Sequence, residues 1–172
     1  VKGLGERKIV EIANQVNVSG RISGEKFKIF DGTKDQPLNK VKRGFVDLNW
    51  YYQRSGQLNI RGQVGCLRQC SYCIDHLIKG RRAVQREIND IIMELEQLVE
   101  NGIKHIHFTD AEVNLNLPYS KNLLRLIANS GLPKAGLNLY GHFQLKPFDE
   151  EYAKLLSNAG FVGVNFSTDH TD

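Results

Sequence analysis

Cys66, Cys70 and Cys73 are the chain's only cysteines, and all three fall in the segment Gly65-Cys66-Leu-Arg-Gln-Cys70-Ser-Tyr72-Cys73. A secreted disulfide scaffold spreads an even number of cysteines along the chain. An odd, clustered set points instead to metal or redox chemistry in a reducing compartment, here the cytoplasm. Three thiolates at C-x3-C-x2-C spacing can hold three irons of a [4Fe–4S] cube. The fourth iron is then left without a protein ligand and open to a small molecule. Zinc is the other reading, because His76 completes a Cys3His set on paper. Four ligands in so short a stretch are hard to close around one ion, and structural zinc sites usually separate two ligand pairs by a longer loop. The cube is favoured, and a non-catalytic zinc or iron–sulfur binding module is the alternative.

The elements that must position these cysteines alternate. Gln57 to Gly62 reads as a short strand running directly into them. From Arg86 to Glu100, Ile88, Ile91, Ile92, Leu95, Leu98 and Val99 recur at helical spacing, and Asn101-Gly102 is a stop. Ile103 to Thr109 reads as a strand, with His105 and His107 on the face opposite Ile106 and no catalytic role expected of either. Ser120 can cap a helix carrying Leu123, Leu124, Leu126 and Ile127, ended by Gly131. Gly136 to Tyr140 is a third strand, followed by His142, which could face a pocket, although a lone histidine is more often structural. Asp149 can cap a third helix with Tyr152, Leu155 and Leu156 inward, and Phe161 to Phe166 is a fourth strand. Strands separated by helices of this length build parallel βαβ units. Four strands and three helices make half of a (β/α)8 barrel, or most of a partial one.

The first 54 residues are less regular. Glu6 to Val16 carries a short amphipathic pattern, Phe27 to Phe30 followed by Asp31-Gly32 suggests a strand and turn, and residues 33–56 read as a polar linker. In 172 residues, 41% are hydrophobic and 24% charged, and no apolar run approaches the length of a membrane span. The net charge of +4 is scattered apart from Lys40-Val-Lys42-Arg43 and Lys79-Gly-Arg81-Arg82. Without a dense basic face interleaved with aromatics, a nucleic-acid partner is not expected. The basic residues read as a solvated surface, with an anionic substrate or a tRNA as the other reading.

Cys66-x3-Cys70-x2-Cys73, following a strand and carrying an aromatic just before the last cysteine, resembles the signature of the radical S-adenosylmethionine (SAM) enzymes. The resemblance implies a TIM-like partial or full (β/α) barrel, which matches the alternation above. It implies that the amino and carboxylate groups of SAM chelate the open iron. One electron from the reduced cluster, delivered by a reductant such as flavodoxin or ferredoxin, then cleaves SAM to methionine and a 5′-deoxyadenosyl radical. Thr109-Asp110-Ala-Glu112-Val-Asn114 falls where the family binds the SAM amino group, which points to Glu112 first and Asp110 next; capping of the following helix is the other reading. Ser167 and Asp169 fall where relatives hold the ribose hydroxyls or the SAM carboxylate, with a solvent-facing turn as the alternative. Tyr72 resembles the aromatic that lies against adenine, and it could equally pack over the cluster.

The flanking segments are similar to radical SAM proteins that carry a cobalamin-binding domain. Gly3-Leu-Gly-Glu6, Ile60-Arg-Gly-Gln-Val-Gly-Cys66, Arg81-Arg82 and Phe108-Thr-Asp110 carry this second likeness. It implies that residues 1–54 connect an upstream cobalamin domain to a radical SAM core at 55–172. The implied chemistry is methylation or rearrangement of a small molecule or natural-product precursor. The runner-up is a methylthiotransferase acting on tRNA or protein; such enzymes carry a second cysteine set upstream, and residues 1–54 contain no cysteine. On this reading the chain is a piece of a longer protein, truncated after the fourth barrel strand. Its open sheet edge would leave the isolated piece with little turnover.

Overall fold

The computed structural model describes residues 46–166, residues 41, 43 and 44, and the short pieces 2–3, 13–14 and 31–32. In chain order the first elements are β1 (Lys2–Gly3), β2 (Asp31–Gly32), α1 (Leu48–Ser55), β3 (Leu58–Ile60), β4 (Gln63–Val64) and α2 (Asp75–Ile78). There follow β5 (Val84–Gln85), α3 (Ile88–Glu100), β6 (His105–Phe108), α4 (Leu117–Asn129), β7 (Asn138–Phe143), α5 (Glu150–Asn158) and β8 (Phe161–Phe166). The chain divides into two compact units, one of Val1–Leu38 with Val64–Val84, the other of Asn39–Gln63 with Gln85–Asp172. Among the described residues no helix is long and apolar enough to cross a membrane.

The larger unit is built on one sheet of order β3-β6-β7-β8. Every pairing is parallel, with Ile60 opposite Phe108, His107 opposite Tyr140 and His142 opposite Asn165. At least one helix intervenes before each return strand, as parallel pairing requires. Burial alternates along β6 and β7 with the period of a strand. On one face Ile60, Ile106, Phe108, Leu139 and Phe143 meet Ile91, Leu95, Leu98, Leu123, Leu124, Ile127, Tyr152 and Leu156, and these make the core. Phe108 is fully buried and stacks on Phe161 at 5.9 Å. We expect Phe108→Ala to cost about 3–5 kcal/mol, read as a lower urea midpoint at unchanged slope.

Helices α3 and α5 and strand β8 lie where periodicity placed them. Asp149 caps α5 by accepting from Tyr152 N at 2.7 Å. Three local expectations are corrected. The linker expected over 33–56 contains α1, which Asp47 caps by accepting from Trp50 N and which Gly56 closes in the left-handed conformation. Asn116, not Ser120, caps α4, accepting from Tyr119 N at 3.1 Å; Ser120 is buried inside the helix and bonded to the Tyr152 hydroxyl. Asp31-Gly32, expected as a turn, is a strand paired in parallel with Lys2-Gly3, so non-local pairing overrides a local turn signal. Of the amphipathic pattern over 6–16, Ala13 and Asn14 are helical and the rest lies outside the described residues, as does Phe27 to Phe30.

Candidate functional site

The cysteine segment lies in the smaller unit. Cys66 is buried, Cys70 and Cys73 are half-buried, and none of the three is in a disulfide. Cys73 N donates to Cys70 O at 3.2 Å, folding the C-x2-C stretch into a turn, and Asp75 N donates to Cys73 Sγ at 3.5 Å. The start of the segment is closed against its end, since Cys66 N donates to Gly80 O at 3.1 Å. Gly65, with φ of 104°, packs so tightly against Arg82 that a Cβ there would lie 1.8 Å from the Arg82 carbonyl oxygen. Leu67, Tyr72, Ile74, Leu77 and Ile78 are all exposed, an apolar setting of the kind that controls solvent access to a metal group.

Among the described residues no three His, Cys, Asp or Glu side chains converge as they would around a single metal ion. That holds alike for the Cys3His set with His76 and for the three thiols by themselves. The donor set fits an iron–sulfur cube in kind and number: soft thiols, three of them, on one turn-containing segment.

In the larger unit, the residues from which the chain departs toward the cysteines and at which it returns are bonded together. Arg86 N donates to Gly62 O at 2.9 Å, and the Tyr119 hydroxyl donates to both Gly62 O and Arg86 O at 3.1 and 2.9 Å. The Arg86 guanidinium, almost fully buried, donates to Arg61 O at 2.8 Å and pairs with Glu94 at 2.8 Å. Glu94 also takes Arg43, at 2.6 Å. A buried carboxylate between two guanidiniums avoids the cost of an unpaired charge.

Asp110, expected as the second partner for the SAM ammonium, is instead part of this framework. It is 4% exposed. Its carboxylate accepts the Gly62 N–H at 3.1 Å and also the Gln63 N–H. Burial pushes its pKa up to about 6, against the pull of those backbone donors and of Arg61. The phenol of Tyr119 is pushed up as well, first by burial and then by Asp110.

Glu112 is half-buried in the loop that follows β6. That loop is fixed through its backbone: Gln63 Nε2 donates to Glu112 O at 2.8 Å and to Val113 O at 3.3 Å, and Val113 N donates to His142 O at 2.8 Å. Fully buried Asn114 joins it to the loop after β7, donating to Gln144 O and Pro147 O and accepting from Gln144 N at 2.8 Å. Tyr72 is two-thirds exposed. Ser167 and Asp169 lie outside the described residues. Gln63, Arg86, Asn114 and Tyr119 were not anticipated. The one signal that could have flagged them is charge on an apolar helix face, where Glu94 sits between Ile91 and Leu95.

Three thiols on one segment of the smaller unit and a parallel α/β sheet in the larger one bear comparison with known proteins. Residues 60–172 match the model of the family described as the Radical SAM superfamily. The chain is 40% identical over 131 residues to tryptophan 2-C-methyltransferase of Streptomyces laurentii, covering 73% of this chain and 22% of that protein. It is 32% identical over 122 residues to tRNA-2-methylthio-N(6)-dimethylallyladenosine synthase of Thermosipho africanus, covering 70% and 25% of the two. The radical SAM methyltransferase TsrM of Kitasatospora setae, solved with cobalamin and a [4Fe–4S] cluster bound, superposes with a TM-score of 0.82 at 33% identity, over 100% of this chain and 38% of that one. A second TsrM structure, with tryptophan substrate and the SAM analogue aza-SAM, gives 0.79 at 33% identity, over 100% of this chain and 37% of that one. This chain thus spans about a fifth to two-fifths of each of these proteins. The cysteine spacing, the parallel sheet and the family match over two-thirds of the chain agree: the chain belongs to the radical SAM superfamily.

Proposed function

We propose that this chain is the cluster-bearing part of a SAM-dependent methyltransferase that acts on a small molecule, with cobalamin held by another part of the whole protein. The three thiols, none in a disulfide and all in one closed segment, carry the reading. The likeness to tryptophan 2-C-methyltransferase and to TsrM supports methyl transfer over methylthio transfer, the first running at 40% identity over 131 residues against 32% over 122 for the Thermosipho africanus synthase. Residues 1–54 are proposed as the connection to the cobalamin-bearing part, and tryptophan is the first substrate to test.

Cys66, Cys70 and Cys73 would hold the [4Fe–4S] cluster. When bound, the cluster supplies the electron for reductive SAM cleavage, which flavodoxin or ferredoxin would deliver in the cytoplasm. Gly65 and Gly80 keep the ends of the segment together, so the three thiols are presented from one closed loop. Glu112 is proposed to accept hydrogen bonds from the SAM ammonium. Asp110 acts behind it, holding the Gly62-Gln63 backbone from which the cysteine segment departs. Tyr72 is proposed to lie against adenine, and Ser167 and Asp169 to meet the ribose hydroxyls or the SAM carboxylate, on the family likeness alone.

Anaerobic reconstitution with iron and sulfide, followed by EPR of the reduced protein with and without SAM, tests this. The expected result is a cluster signal that changes on adding SAM and is absent in Cys66→Ala. Uptake of a single zinc with no cluster signal would overturn the proposal.

A further inference from the structure

A parallel sheet is normally covered on both faces and therefore apolar on both. Among the described residues of the larger unit, only one face of this sheet is apolar. The face turned away from the helical core carries Asn59, His105, His107, Tyr140, His142 and Asn165, held in line by the register that sets Asn59 opposite His107, His107 opposite Tyr140 and His142 opposite Asn165. Each is half-buried or exposed, while the alternate positions of β3, β6 and β7 are buried in the core. Six polar side chains on a parallel sheet are a poor surface for apolar packing and a good one for a polar ligand.

His107 and His142 stand out within that face. Each is the penultimate residue of its strand, at the end where (β/α) folds gather their chemistry. Their rings meet edge to face, with centroids 5.7 Å apart. Two imidazoles this close resist carrying two positive charges at once. The other titratable groups of the face, His105 and Tyr140, are bonded to each other, with Nδ1 and the hydroxyl 3.1 Å apart. Tyr140 is held in place over β8, where a Cβ at Gly163 would lie 2.4 Å from its ring. Burial first, and the charge of His142 second, hold His107 below the ordinary histidine range, so it is neutral near pH 7 and able to accept.

We propose that His107 and His142 form the proton-accepting pair for methyl transfer to an indole-type substrate laid against this polar face. The inference rests on the methyltransferase reading above. With SAM as the methyl source, the sulfonium sulfur keeps the electron pair of its broken S–CH3 bond, and the methyl passes on as a cation equivalent. At a trigonal carbon the new C–CH3 bond forms at the expense of C–H. The C–H electron pair returns to the ring, and the proton goes to the imidazole pair, so nothing is oxidised or reduced in the transfer itself.

The test uses the full-length protein, loaded with cluster and cobalamin, with SAM and L-tryptophan as probes, and compares wild type with His107→Gln, His142→Gln and the double variant. Neither ring lies in the core, so circular dichroism is expected to be unchanged. The cluster EPR signal and its response to SAM are expected to persist in all four proteins. The double variant is expected to lose ~100-fold in kcat, with KM for tryptophan moving less than ~3-fold, and to lose the acid limb of the pH–rate profile. A double variant with near wild-type kcat and an unchanged pH profile overturns the pair's role. Wild-type protein with a SAM-responsive cluster but no methylated tryptophan overturns it equally and leaves the cluster reading standing. Absence of the cluster signal in wild type sinks the underlying function instead.

Discussion

Gly65→Ala is expected to abolish iron uptake while leaving the parallel sheet folded. At φ of 104° the Gly65 backbone is where an L side chain rarely goes, and the space for a Cβ is already filled. The methyl would lie 1.8 Å from the Arg82 carbonyl oxygen, 2.7 Å from its carbon and 3.3 Å from the Gly80 oxygen. All three are main-chain atoms, so no rotamer change relieves the clash. The backbone itself must part, and the adjacent Cys66 N–H to Gly80 O bond parts with it. Cys66 then no longer shares a closed segment with Cys70 and Cys73. Iron and sulfide after reconstitution should fall to roughly a tenth of wild type or less, since a cube held by two protein thiolates is poorly retained. Gly80→Ala is the matched control: its φ is 87°, but a Cβ there meets open space, so only conformational strain of about 1–2 kcal/mol is at stake. Its cluster should survive. Equal iron content in the two variants would show that the contact between Gly65 and Arg82 is not what closes the segment.

The candidate cysteine site could be picked out in the chain because it is local, with spacing and neighbours all inside one short stretch. The helices over 88–100 and 150–158 were legible for a related reason, each having an apolar stripe at helical spacing and the second an Asp149 cap in sequence view. Helix 48–55 has no such stripe. None of its described residues is fully buried, and it is set by Asp47 at one end and Gly56 at the other, signals easily taken for a linker. The third strand was placed too early because Gly136, read as its first residue, is still in a turn, with φ of 92° and its N–H bonded to Pro133 O. Asp110 was legible as a polar residue after an apolar strand, but its backbone partners were not. Its partners Gly62 and Gln63 are nearly fifty residues away, and only pairing of β3 with β6 brings them together. The polar sheet face was half visible: alternation put His105 and His107 opposite Ile106, but which histidine would neighbour His107 depended on a register that no local pattern encodes.

Asp110→Ala should destabilise the larger unit by about 3–5 kcal/mol at pH 7, because the buried N–H groups of Gly62 and Gln63 lose their acceptor and water cannot reach them. Asp110→Asn separates charge from hydrogen bonding, since one amide oxygen still accepts while the ionisation is gone. Burial raises the Asp110 pKa from 3.8 to about 6 in the folded chain. Between those values the folded state holds a proton that the unfolded state has already released. Linkage then requires the stability of the wild type to fall as pH rises from about 4 to about 6, and to level off above that, where both states are ionised. The slope is about 1.4 kcal/mol per pH unit, on the order of 3 kcal/mol in all. The asparagine variant lacks this fall, so its stability relative to wild type should improve steadily across the same window. Urea unfolding of the iron-free chain at several pH values from ~4.5 to ~7.5 measures both curves. Parallel curves would mean that Asp110 titrates alike in the folded and unfolded states. The carboxylate would then be reached by solvent, and its hold on Gly62 and Gln63 would be too loose to fix where the cysteine segment begins.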